Sequence, residues 1–113
     1  MPKQSVRLSR VFQGLADPTR RAVLERLSSG PAPVSELARP FKMALPSFTQ
    51  HLDVLEQCGL VVSRKLGRVR TYRLVPKHLK LAVHWLETQQ MHWEDRLDQL
   101  DTYLADLKKE KQR

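Results

Sequence analysis

The apolar positions change their period twice along the chain. From residue 6 onward Val6, Leu8, Val11, Phe12 and Leu15 recur at helical spacing, with Arg7 and Arg10 off the stripe. Steps of three and four residues bring side chains to one helix face, so a first helix is predicted over residues 6–16. Asp17-Pro18 interrupts it. Asp is a good N-cap, and Pro suits the first helical position, where its missing N–H costs nothing. A second helix is predicted over residues 18–28, with Val23, Leu24 and Leu27 inward and Gly30-Pro31 closing it. Ala32 and Pro33 read as loop. A short third helix over residues 34–39 buries Val34, Leu37 and Ala38, and Pro40 ends or kinks it by removing a backbone donor. After the tight connection Lys42-Met43-Ala44, a fourth helix over residues 45–58 carries Leu45, Phe48, Leu52 and Leu55 on one expected buried face. It stops at Gly59.

Beyond Gly59 the period shortens. Residues 60–65 and 69–74 are β-branched and aromatic enough for strands, and Gly67-Arg68 between them signals a turn. A two-stranded hairpin is predicted. Pro76 then opens a last helix reaching toward residue 108. Along it Leu86, Trp93, Leu97, Leu100, Leu104 and Leu107 form a heptad-like seam, with the polar Gln89 and Gln90 in its gap. The expected fold is mainly α with a small β-hairpin, in the order four helices, hairpin, helix. It is expected to form one domain over residues 1–113.

Composition narrows the class. The chain has 113 residues, 41% apolar and 28% charged, which suits a globular protein rather than a disordered one. No apolar run approaches the roughly 18 residues of a membrane span. The opening residues lead into no apolar stretch, so no secretory signal is expected. One cysteine, Cys58, allows no intrachain disulfide and no thiolate cage within a chain. The expected compartment is a reducing cytoplasm, with no membrane partner.

The net charge of +8 is unevenly placed. Residues 1–75 hold 13 Lys and Arg against 5 Asp and Glu; residues 76–113 hold 7 against 7. All the excess lies in the first two-thirds, which points to a polyanion-binding part and a neutral part with another task.

Two short helices joined by a tight turn, the second polar on its outer side, fit a helix-turn-helix. The outward side of residues 45–58 carries Ser47, Thr49, Gln50 and Asp53, with His51 nearby. These hydroxyls donate and accept hydrogen bonds, and Gln pairs bidentately with adenine. A plain amphipathic helix with a solvated polar face has the same pattern. The hairpin shifts the balance, because Arg64, Lys65, Arg68, Arg70 and Arg73 lie in it without one acidic residue. Alternation puts Arg64 with Val62 and Leu66 on one side and Lys65 with Ser63 on the other. Such a ribbon neutralises phosphates and releases counterions, and Arg68 at its tip can enter a minor groove. Charge also protects exposed strand edges, but that role does not need five cations of one sign.

Gly14-Leu15-Ala16-Asp17-Pro18-Thr19-Arg20-Arg21, Val34-Ser35-Glu36-Leu37-Ala38, Pro46 through Leu55 and Gly59-Leu60-Val61 together resemble the ArsR-type winged helix-turn-helix repressors. The resemblance covers roughly residues 6–75. It implies a homodimer on an inverted-repeat operator, with the fourth helix in the major groove and the hairpin as wing. On that pattern Ser47, Thr49, Gln50 and His51 are the expected groove-side contacts, and Arg64, Lys65, Arg68 and Arg70 the wing contacts; Lys42 is a further expected DNA contact. His51 has a second reading, as an imidazole packed between helix and wing. One departure is Ala44, where the family often has a capping Ser; the loss is about 1 kcal/mol of helix start.

The heptad seam wants a partner. Leu86, Trp93, Leu97, Leu100 and Leu104, joined by Val11 and Phe12 of the first helix, are the expected dimer interface, since two-fold symmetry doubles the operator contacts. Packing of the last helix onto its own chain is the alternative. Trp85 and Trp93 are expected to anchor this interface rather than bind a ligand.

Metal sensing, common in the resembled family, finds little support. The third helix reads Ser35-Glu36-Leu37-Ala38-Arg39, without Cys, and the pairs His84 with Glu87 and His92 with Asp95 depart from the family's spacing on the last helix. No metal and no cofactor is expected, and no small-molecule effector is identified. His78, at the strand-to-helix junction, is a poorer candidate still. Cys58 reads as a small buried hydrophobe, with a redox switch as its alternative. No glycine-rich phosphate loop, nucleophile–base pair or paired carboxylates are present, so catalysis is not expected. The leading reading is a dimeric, sequence-specific repressor, possible regulator of its own operon; a metal- or thiol-responsive repressor and a non-specific nucleic-acid-binding protein are the alternatives.

Overall fold

The computed structural model describes residues 3–112. Its elements are α1 (Lys3–Leu15), α2 (Pro18–Leu27), β1 (Ala32–Pro33), α3 (Val34–Ala38), α4 (Leu45–Gln57), β2 (Val61–Leu66), β3 (Val69–Leu74) and α5 (Pro76–Lys111). This is a mainly helical winged helix-turn-helix in the expected order.

The punctuation works as the residue types require. Asp17 is extended at φ −115°, ψ 135°, and its carboxylate accepts the Arg20 backbone N–H at 3.1 Å, with Pro18 opening α2. Gly59 ends α4 at φ +77°, a left-handed conformation that a side chain resists. A Cβ there would also sit 2.5 Å from His78 Nδ1, so glycine is required twice over. Gly14 marks another close approach, since a Cβ on it would meet Leu60 Cδ1 at 2.8 Å.

Two expectations need correction. Ala32-Pro33 is not loop: it pairs antiparallel with β3, Ala32 opposite Tyr72, so the hairpin becomes a three-stranded sheet of order β1-β3-β2. Two residues carry no readable period, and proline argues against a central strand, but an edge tolerates it. Leu45 does not join the buried face. It is 56% exposed, whereas Phe48, Leu52 and Leu55 are fully buried. Leu45 is the first helical residue, and the face meets the core only from Phe48 onward.

The chain divides into two compact units, one up to Ala82 and one from Val83 onward. The first contains the entire buried cluster, including Val11, Val23, Leu37, Phe48, Leu52, Leu60, Tyr72 and Ala82. Burying a side chain of the Leu or Phe class contributes roughly 1.5–3 kcal/mol, so this cluster holds α1–α4 and the sheet together. The second unit is a single helical stretch. Among the described residues no helix is long and apolar enough to cross a membrane.

Candidate nucleic-acid interface

The junction of α1 and α2 is tied to α4. α1 ends with carbonyls that lack intrahelical partners. Arg20 supplies them: Nη2 donates to Gln13 O at 2.8 Å and Nε to Gly14 O at 3.0 Å, while Arg21 Nη1 donates to Leu15 O at 2.6 Å. The remaining Arg20 nitrogen, Nη1, lies 3.2 Å from His51 Nδ1 on α4. A guanidinium only donates, so this contact is a hydrogen bond when His51 Nδ1 carries no proton. Asp17 Oδ2 is 3.7 Å from the same Nδ1. Burial alone would raise the Asp17 carboxyl, but the Arg20 N–H, the His51 ring and the Arg20 guanidinium outweigh it and hold the group below its ordinary value. His51 is thus half-buried and engaged with α2, a third location beside the two the sequence left open. Arg20 was not singled out from the sequence; its signal is an Arg three residues after a helix cap.

α4 presents its polar side as the spacing requires. Ser47, Gln50 and Asp53 are exposed, as is Lys42 in the preceding connection. Thr49 is half-buried and its hydroxyl donates to Pro46 O at 3.0 Å. Ala44 occupies the N-cap with extended backbone and no side-chain bond, leaving the N–H groups of the first turn open. Met43 and Leu45 add exposed apolar surface beside them.

The wing has two chemically different faces. In register Arg64 lies opposite Thr71, Lys65 opposite Arg70, and Val62 opposite Arg73. Strand alternation therefore puts Lys65 and Arg70 on the Ser63–Tyr72 face, and Arg64 and Arg73 on the other with Val62, Leu66 and Val69. Gly67 at φ +63° and Arg68 form the two-residue tip, the arrangement whose twist suits a hairpin. Arg64, Lys65, Arg68 and Arg70 are all exposed. Arg70 Nη1 donates to Ser63 Oγ at 2.8 Å, and the Ser63 hydroxyl and N–H both reach the Glu56 carboxylate. Burial pushes the Tyr72 hydroxyl above its usual range, and the charges of Glu56 and Asp53 push the same way. Glu56 and Ser63 carried no readable signal, because their pairing joins a helix end to a strand.

On α5, Leu86, Trp93, Leu97, Leu100 and Leu104 are 45–59% exposed in the single chain. Val11 must leave the expected interface. It is 0% exposed and belongs to the protomer's own core, leaving no surface for a partner. Phe12 is half-buried. His78 Nδ1 is 2.9 Å from Gly59 O and its Nε2 is 3.3 Å from Arg7 Nη1, so it joins the start of α5 to the α4 end and to α1. Cys58 is buried beside Gly14.

Comparison with known proteins follows this geometry. A family described as a helix-turn-helix domain matches residues 15–64. The HTH-type transcriptional regulator Rv2034 of Mycobacterium tuberculosis is 49% identical over 70 residues, 62% of this chain and 65% of that protein, so the chain matches just under two-thirds of this relative. The transcriptional repressor SdpR of Bacillus subtilis is 29% identical over 79 residues, 70% of this chain and 88% of that protein. The crystal structure of an ArsR family transcriptional regulator shares 52% identity and a TM-score of 0.77, over 83% of this chain and 97% of that one. With helix-turn-helix, wing and sequence in agreement, the chain belongs to the ArsR family of DNA-binding winged helix-turn-helix transcriptional regulators.

Proposed function

We propose that two copies of this chain bind an inverted-repeat operator and repress transcription from it. The observation that carries this reading is the pairing of an exposed polar α4 face with a cationic wing on one buried core. α4 enters the major groove. Gln50 reads a base edge, Ser47 and Thr49 supply adaptable hydrogen bonds, and Leu45 offers apolar contact to a thymine methyl. Lys42, Lys65, Arg68 and Arg70 neutralise phosphates, and Arg64 adds charge from the other wing face. His51 acts from behind, through Arg20, rather than at a base. The name of SdpR, a transcriptional repressor, supports repression as the outcome.

Dimerisation runs through the seam Leu86, Trp93, Leu97, Leu100 and Leu104 of α5, with Phe12 of α1 contributing. All five seam residues keep large exposed apolar surfaces in the single chain, which favours a partner. No effector is required for this reading, and the promoter of the chain's own operon is the first operator to try. Selection from random duplexes tests it: an enriched inverted repeat is expected, bound with nanomolar-range affinity that falls steeply with salt. Enrichment of no inverted repeat, with equal affinity for every duplex, would overturn it.

A further inference from the structure

The Glu56 carboxylate lies against the basic wing. Glu56, in the last turn of α4, accepts the Ser63 N–H at 3.3 Å and the Ser63 hydroxyl at 2.9 Å and 3.0 Å from its two oxygens. The Ser63 hydroxyl has one proton, and the carboxylate takes it. Its lone pairs are left for Arg70 Nη1, which donates at 2.8 Å. The chain of bonds therefore runs in one direction, from guanidinium through hydroxyl to carboxylate, and each bond polarises the next. On charge alone, Glu56 weakens the attraction of this surface for a polyanion.

We propose that Glu56 is a positioning residue of the DNA interface, holding the β2–β3 wing against α4 through Ser63 and aiming Arg70. The reading rests on the operator-binding function above. Lys65 and Arg70 lie directly opposite each other in register, and like charges so placed repel. Ser63 is the diagonal neighbour of Arg70 on the same face. The tether draws the guanidinium toward Ser63 and leaves Lys65 free. It uses one of Arg70's five N–H donors, so the others still serve a phosphate. It also adds a polar tie between α4 and the wing to the chain through Gly59 and the shared buried cluster. The core fixes the base of the wing, and this tie fixes Arg70 further out along it, so groove reader and phosphate clamp keep one spacing on the same duplex.

The test separates positioning from charge. Affinities of wild type, E56Q, E56A and S63A for a labelled duplex are measured by fluorescence anisotropy across a salt series, with thermal melting alongside. Charge alone predicts that E56A and E56Q both bind more tightly. Positioning predicts that E56Q, which keeps an acceptor for Ser63, binds at least as well as wild type. E56A should bind about tenfold more weakly, with a shallower salt slope because wing phosphate contacts are lost. S63A should weaken binding likewise, and E56A/S63A should be no worse than either alone. Equal or tighter binding by E56A or by S63A, with an unchanged slope, would overturn the proposal. If E56A does not fold, S63A, with a melting temperature near wild type, carries the decision. Failure of wild type to prefer an inverted repeat would instead refute the operator reading, while the ratio of variant to wild type on a generic duplex still decides the role of Glu56.

Discussion

Leu52 and Leu100 sit on helices of one chain, yet the first has no exposed surface and the second keeps half of its surface in water. The difference extends to the polar groups around them. Up to Ala82, hydrogen bonds join separate elements: Arg20 links α1 to α4, Ser63 links the wing to α4, and His78 links α5 to Gly59. From Val83 onward, Thr88 bonds to His84 O, Gln90 to Glu94 and Thr102 to Asp98 O, each pair within one helix. Local bonds of this kind add little, and a helix in water draws its stability from packing of its apolar face. The first region is complete as a folded unit. The second carries the exposed apolar residues that the proposed dimer would cover.

The largest effect expected from this contrast is at the seam. Leu97→Glu with Leu100→Glu should produce a monomer in analytical ultracentrifugation and lower operator affinity at least about a hundredfold, since half of the contacts are lost. A double variant that remains dimeric would break the comparison. In the first region Gly59→Ala forces a side chain into φ +77° against His78, and should cost about 2–4 kcal/mol in urea unfolding. Gly67→Ala, at φ +63° but in open space, should cost only about 1 kcal/mol.

Smaller effects sharpen the division within the reading surface. Gln50→Ala should relax preference at one base position by about 1–3 kcal/mol, read from affinities for single-base operator variants. Arg68→Ala should weaken every duplex alike and reduce the salt slope by about one phosphate. Identical behaviour of the two would erase the distinction between groove reader and wing. Smallest is Asp17→Ala, which removes an N-cap worth about 1 kcal/mol. The Asp17 carboxyl is held below its ordinary value, so its contribution is present above about pH 4 and is lost as the pH falls through the folded value. Thermal melts should show the full deficit of Asp17→Ala near neutrality and a shrinking one on acidification. A constant deficit would mean that the charge of Asp17 adds nothing.

Most of the elements were legible because each carries its own period or punctuation. Asp17-Pro18 announces α2, Gly59 closes α4, and the alternation around Gly67 gives the hairpin with its two faces. Leu45 was misplaced because a helical stripe shows which side is apolar and not how far the core extends along it. Ala32-Pro33 is too short to show a period, and its pairing depends on the free edge of β3. Val11 fits an interface as well as a core by pattern alone; only its complete burial in the protomer distinguishes them.

The same limit applies to the site. Residue type and spacing alone determined that a basic hairpin follows a polar-faced helix and that the last helix bears an apolar seam, because periodicity and charge are properties of neighbours in the chain. The tertiary structure alone decided that Arg20 serves α1 and His51 together, and that Glu56 reaches Ser63 across the α4–β2 junction. It also decided, through the register of the two strands, that Arg70 joins Lys65 on one face and Arg73 joins Arg64 on the other. Those relations arise when separate elements come within hydrogen-bond distance, and no one-dimensional pattern encodes a distance between elements.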